Sequence, residues 1–331
     1  MKTDRVPILI AALVLAGMLA SCQKAYHEET EKYIFVASNI NLPYWQEAQA
    51  GFNDSGHGLG VKVEFTGPAS YSPEEQLAAF RQAVAAKPAG ILVAPARPDL
   101  FNQDIDAAVQ AGIPVICMDS DAPESKRILF IGTDNVHAGM ESGRRMAEML
   151  KGKGEIVLIT IPGQLNLEQR RQGVEEVFKK SLGLKITKVI DDKGDPRVAN
   201  DAISKMLETK AQIDGILCLE ASGGAGAAEA AHRLNMDGKI PIVAMDKSPD
   251  TLDWISRGSI SATVAQKSYT MAFYGLRFLD DLHHNIVHEF KDWKTAPVSP
   301  LPANVDTGTA IVDQSNLAAF QAAVAERSKP L

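Results

Sequence analysis

The sequence predicts an α/β fold made of two similar lobes, each a doubly wound parallel sheet. Three observations carry that expectation. From Tyr33 onward, apolar runs of strand length alternate with longer helical patterns, as in parallel strands joined by helical crossovers. The chain has 331 residues, too many for one economical hydrophobic core. The pattern also repeats: Gly90-Ile91-Leu92-Val93 returns as Gly215-Ile216-Leu217-Cys218, and the run Ile113 to Asp119 (IPVICMD) returns as Ile240 to Asp246 (IPIVAMD). The offsets, 125 and 127 residues, are nearly constant, so these are corresponding strands of two halves.

In chain order, the first element is an export address. Lys2 and Arg5 precede an apolar run from Pro7 to Ala20 that is too short and too sharply ended for a comfortable membrane span. Small residues at Ala20 and Ser21, followed by Cys22, have the arrangement of a bacterial lipobox, in which the thiol takes a diacylglycerol before cleavage. Residues 1–21 are therefore expected to be a lipoprotein signal peptide, with Cys22 the site of lipidation. Residues 22–32, polar and aperiodic, read as a flexible tether. The expected location is periplasmic or at the cell surface, with the membrane touched only through the anchor.

Strands are expected at 33–38, 61–66, 90–94, 114–118 and 128–132, then at 155–160, 184–190, 215–219, 241–245 and 261–265. Helical patterns lie between them, among others at 44–53, 73–86, 99–111, 136–150, 168–181, 197–209 and 224–234. Cys117 and Cys218 fall inside strands of different lobes and read as buried free thiols. Each repeated strand ends in an aspartate. Ligands of open parallel sheets collect at the carboxyl ends of the strands, so Asp119 and Asp246 are expected on opposite walls of one cleft. Either one alone would read as a cap of the following turn.

Composition and motifs exclude several functions. A net charge of −7 does not favour nucleic acid or an anionic membrane as partner. The loop after the first strand lacks a dinucleotide fingerprint, and no phosphate-binding loop or nucleophile elbow occurs. Gly223-Gly224-Ala225-Gly226 opens a helix and reads as close helix packing before anion binding. Among His283, His284 and His288, only His284 and His288 stand four apart, and a solvated helix end explains them, so no metal and no cofactor is expected. Tyr44 and Trp45, at the start of the first helix, suit the apolar faces of a sugar ring, although core packing competes for one of them.

The ordered motifs Ser38 with Asn41, Pro43, Tyr44 and Trp45; Pro114 to Asp119; Ile131 to Asn135; Arg170 with Gly173; Ile240 to Asp246; and Ala262 to Gln266 resemble those of the ribose-binding family of type I periplasmic binding proteins. The resemblance runs from Tyr33 to about Val312. It implies a three-segment hinge, crossing near Thr133-Asp134, near Gln266-Lys267 and between about Asn304 and Asp306. The lobes would then comprise 33–133 plus 267–304 and 134–266 plus 305–325.

It also implies a ligand shell of Ser38, Tyr44, Trp45, Asp119, Glu220, Asp246 and Gln266. Leu42 stands in place of a usual Asn, Ser120 in place of an Arg and Glu220 in place of a common Asn. The Arg expected between the lobes aligns near Glu168 and is missing there. Asn41 is counted with the shell, and Asn166 and Arg97, in loops after strands, are expected to supply further polar contacts. The function implied is a non-catalytic, monomeric solute-binding protein that delivers a monosaccharide or polyol to an ABC permease. The alternatives are a sugar-sensing subunit for a chemoreceptor or histidine kinase and, from another class, an exported α/β enzyme acting on carbohydrate.

Overall fold

The computed structural model describes residues 27–181, 183–287 and 289–327. The expected signal peptide and Cys22 lie outside the described residues, as does His288.

Two sheets form, one per lobe. The first contains β1 (Lys32–Val36), β2 (Lys62–Thr66), β3 (Gly90–Val93), β4 (Val115–Met118), β5 (Leu129–Gly132) and β11 (Asn304–Asp306). Its order is β11-β5-β4-β3-β1-β2, parallel throughout. The second contains β6 (Lys153–Thr160), β7 (Gly183–Asp191), β8 (Gly215–Cys218), β9 (Ile242–Met245), β10 (Ala262–Ala265) and β12 (Ala310–Asp313). Its order, β12-β10-β9-β8-β6-β7, repeats the first, except that β12 runs antiparallel to β10.

The helices α1 (Pro43–Leu59), α2 (Pro73–Ala85) and α3 (Pro98–Gln110) cover the first sheet. The second carries α4 (Asn135–Met149), α5 (Leu165–Lys180), α6 (Pro196–Glu208), α7 (Gly223–Arg233) and α8 (Pro249–Ser256). Later in the chain α9 (Ser268–His283) returns to pack on α1, β3 and β4, and α10 (Leu317–Arg327) packs on α8 and β12.

The near-continuous apolar runs are explained by burial on both faces. Along β1, Tyr33 and Phe35 enter the core under α1 and α9, while Ile34 and Val36 enter the core on the opposite face. The same alternation along β8 and the residue after it sends Ile216 and Cys218 one way and Leu217 and Leu219 the other. Cys117 and Cys218 are buried and unbonded to each other, and burial pushes both thiols up from their ordinary pKa. Proline at the first turn, where a missing N–H costs nothing, begins α1, α2, α3, α6 and α8.

Three segments cross between the sheets. Thr133 and Asp134 link β5 to α4, and Gln266 and Lys267 link β10 to α9. The third lies later than expected, after Asp306 rather than between Asn304 and Asp306. Asn304, Val305 and Asp306 pair with Phe130, Ile131 and Gly132, so the chain must finish that edge strand before it leaves the first lobe. The crossings are tied together: Thr133 Oγ1 donates to Gln266 Oε1 at 2.9 Å, the Asp134 N–H to Asp306 Oδ1 at 3.1 Å and the Thr307 N–H to Gly132 O at 2.8 Å.

Candidate functional site

The carboxyl ends of both sheets face one cleft, with about 490 Å³ of space free of protein atoms. Its walls include Ser38, Tyr44, Trp45 and Asp119 from the first lobe, and Asn166, Arg170, Glu220, Asp246 and Gln266 from the second lobe and its crossing.

Asp119 and Asp246 occupy equivalent backbone positions, and both are left-handed, with φ of 64° and 69°. Aspartate tolerates that region better than most residues, and here it turns the chain sharply off a buried strand. The Asp119 N–H still donates to Ile131 O and the Asp246 N–H to Val264 O, so each turn stays latched to its neighbouring strand. Burial raises the pKa of both carboxyls, and Asp246 is pushed up to about 6 despite the attraction of Arg170 and a hydrogen bond from Gln266. Tyr44 donates to Asp119 Oδ1 at 2.6 Å, and Asn166 reaches across the cleft to Asp119 Oδ2 at 3.2 Å. Asp246 Oδ1 accepts from Gln266 Nε2 at 2.9 Å.

Glu168 stands where the resemblance implied an inter-lobe arginine, while Arg170, matched with Gly173 in the sequence, is only 2 % exposed and lines the cleft. Its Nε donates to Asn135 Oδ1, Nη1 to Leu219 O and Nη2 to Gln266 Oε1, at 2.8 to 2.9 Å. The helix bearing it lies hard against α4, because a Cβ on Gly173 would meet Val136 O at 2.1 Å and one on Gly139 would meet Arg170 O at 1.9 Å. Those two glycines set how deep Arg170 sits.

Two residues expected in the shell do not line the cleft. Arg97 turns away to pair with Asp99 at 2.6 Å, because it precedes Pro98 at the start of α3 and the acidic partner stands in the same first turn. Its side chain lies at the rim, near Gly163 of the other lobe. Asn41 is exposed and donates to Ala69 O at 2.9 Å, holding its own loop. Tyr71, Gln164, Asn39 and Ile161 line the cleft unannounced by any sequence signal beyond loop position.

Glu220 accepts the N–H groups of Ser222 and Gly223, which fixes its carboxylate at the start of α7. The fully buried Asp192 sits beside it, and burial, then the Glu220 charge, holds Asp192 well above the usual carboxylate range. Trp45 is 5 % exposed and packs edge-on to Phe35, so it serves core and cleft together, while Tyr44 stands perpendicular to it with ring centroids 4.9 Å apart. Outside the cleft, Lys247 of the second lobe pairs with Glu47 of the first, and Ser268 Oγ donates to the same carboxylate at 2.9 Å.

Comparison with known proteins agrees with this geometry. The family model described as periplasmic binding protein domain matches residues 33–284. The D-allose-binding periplasmic protein of Escherichia coli is 26% identical over 281 residues, covering 82% of this chain and 88% of its own. A solved sugar ABC transporter sugar-binding protein from Bacillus halodurans is 36% identical with a TM-score of 0.79, over 88% of this chain and 100% of that one. The arabinose-binding protein AraP from Geobacillus stearothermophilus is 35% identical with a TM-score of 0.73, over 88% and 99%.

Proposed function

The chain belongs to the periplasmic binding protein family, and from that premise we propose that it captures a neutral monosaccharide or cyclitol between its lobes and delivers it to an ABC importer. It acts outside the cytoplasm and is a binding protein, not an enzyme, as its relatives are. The observation that carries the reading is the pair of buried aspartates, Asp119 and Asp246, brought from equivalent strand ends to one cleft. A sugar hydroxyl both donates and accepts, and carboxylates beside the arginine and amides of this cleft answer both needs. Tyr44 and Trp45 supply the aromatic wall for the C–H face.

Charge selects the ligand class. Asp119, Asp246 and Glu220 surround a single buried cation, Arg170, and three of that guanidinium's N–H groups are already engaged by protein acceptors. Arg97, committed to Asp99, adds nothing. A uronic or phosphorylated sugar would meet unbalanced carboxylates.

The tether is proposed to end in lipidated Cys22, the first residue of the mature monomer, and the three crossings to act as a hinge that closes by rigid rotation. A thermal-shift screen over pentoses, hexoses, deoxy sugars, amino sugars and cyclitols tests the ligand assignment. A ligand present at about 100 times its Kd raises native stability by about 2.7 kcal/mol. A neutral sugar or cyclitol that raises Tm is the expected result; stabilisation by sugar acids or phosphates alone would overturn the assignment.

A further inference from the structure

At the end of the first lobe remote from the cleft, four side chains converge on one point. His27 and Glu31 come from the segment leading into β1; Asp280 lies in the last turn of α9, and His284 caps that helix four residues later. His27 Nδ1 is 3.2 Å from Glu31 Oε1 and 3.6 Å from Asp280 Oδ1, while His284 Nε2 is 3.1 Å and 3.5 Å from the same two oxygens. The two ring nitrogens stand 3.2 Å apart. All four ligand atoms lie within 4.8 Å of one another.

Hydrogen bonds alone account poorly for this cluster. Each ring nitrogen faces two carboxylate oxygens and the other ring nitrogen at once, and an N–H can point at only one of them. Both carboxylates are nearly sealed, with side chains 1% and 4% exposed, and their ion-pair partners are His27 and His284. Four ligands at 2.0–2.2 Å from a tetrahedral ion stand about 3.3–3.6 Å apart, and the five separations above scatter closely around that edge.

We propose that His27, Glu31, Asp280 and His284 form a closed tetrahedral site for a divalent transition ion, with zinc as the best match. Two neutral imidazoles and two carboxylates balance the dipositive charge. The mixed nitrogen and oxygen set of four suits zinc, whereas calcium takes six to eight oxygens. Outer contacts orient the ligands: Tyr33 OH lies 2.8 Å from Glu31 Oε1 and 3.1 Å from Asp280 Oδ1, and the Glu28 N–H donates to Glu31 Oε2 at 3.3 Å. With four protein ligands the site is structural. It fastens the last residues of the segment expected as a flexible tether, where Glu31 is in fact buried just before β1, to α9, a 16-residue helix about 24 Å long whose other end begins beside the cleft. His284 was read from sequence as part of a solvated helix end because its partners, His27 and Glu31, lie some 250 positions away.

The test is titration of the metal-stripped, full-length chain with Zn2+, Ca2+ and Co2+. The expected result is one Zn2+ per chain, no Ca2+ at the site, and the intense visible absorption of tetrahedral Co2+. His27→Gln and His284→Gln should each weaken Zn2+ binding by about a hundredfold or more, while His283→Gln, next in sequence but outside the cluster, should bind as wild type. Circular dichroism and sugar titration of each variant verify that the fold and the cleft are intact. Should either glutamine variant fail to fold, the Co2+ spectrum of the wild-type chain decides, with octahedral bands counting against the site. Absence of stoichiometric Zn2+ binding, or binding equally tight in both glutamine variants, overturns the proposal.

Discussion

The two lobes share a strand order and an aspartate at the same left-handed turn, yet they present different chemistry to the cleft. The first lobe contributes Tyr44 and Trp45, a largely apolar wall; the second contributes Asn166, Arg170, Glu220 and the fixed Asp246. Asp246 is held by Gln266, which stands at the end of its own lobe's β10, whereas Asp119 is held by Tyr44 and, across the cleft, by Asn166. Duplicated strands thus set two equivalent positions, and the loops decide what each position does. The second lobe is preorganised for hydroxyls, and the first receives its full set of partners only when the lobes meet.

The largest expected effect that would test this contrast is Arg170→Ala. It removes the donor to Asn135, Leu219 and Gln266 and leaves buried carboxyls without their cation, so the second lobe should lose about 3–5 kcal/mol of stability in denaturant melts. A loss below about 1 kcal/mol would show that the second lobe does not depend on it.

Next comes Asp246→Asn. A carboxyl whose pKa is about 6 in the folded chain and near 4 in the unfolded one binds its proton more tightly when folded. Its share of stability is therefore greatest below the unfolded pKa and falls as pH rises through about 6. The amide should raise the stability of the sugar-free chain by up to about 2 kcal/mol at pH 7.5, flatten its pH dependence between 4 and 7, and weaken sugar binding. An unchanged pH profile would mean that Asp246 is not the group that titrates.

Smaller still is Asn166→Ala, which removes the hydrogen bond between Asn166 and Asp119. It should shift the sugar-free ensemble toward the open form by about 1 kcal/mol, read as a larger radius of gyration in solution scattering, with little change once ligand is bound. Arg97→Ala should do least, within about 0.5 kcal/mol for both stability and sugar affinity, because its pair with Asp99 is solvent-exposed.

Much of this architecture was legible because burial writes itself into sequence. Strands buried on both faces must be apolar throughout, and duplicated strands kept Pro114-to-Asp119 and Pro241-to-Asp246 recognisable. What escaped was information that lives in space. The short edge strands β11 and β12 carry half-exposed mixed residues with no strong period, so the third crossing was placed early. Arg97 looked free because nothing in its loop showed that Asp99 would fold back on it. The depth of Arg170 depends on the contact of Gly139 with its backbone, a pairing between two helices that no local pattern shows.

In the proposed function, equivalent aspartates from opposite lobes grip one neutral polyol. Titration calorimetry of the best ligand against the wild-type chain, Asp119→Ala and Asp246→Ala tests it most directly. Each variant is expected to bind at least about tenfold more weakly, a loss of about 1.4 kcal/mol or more, with the fold retained. Undiminished affinity in both variants would contradict it.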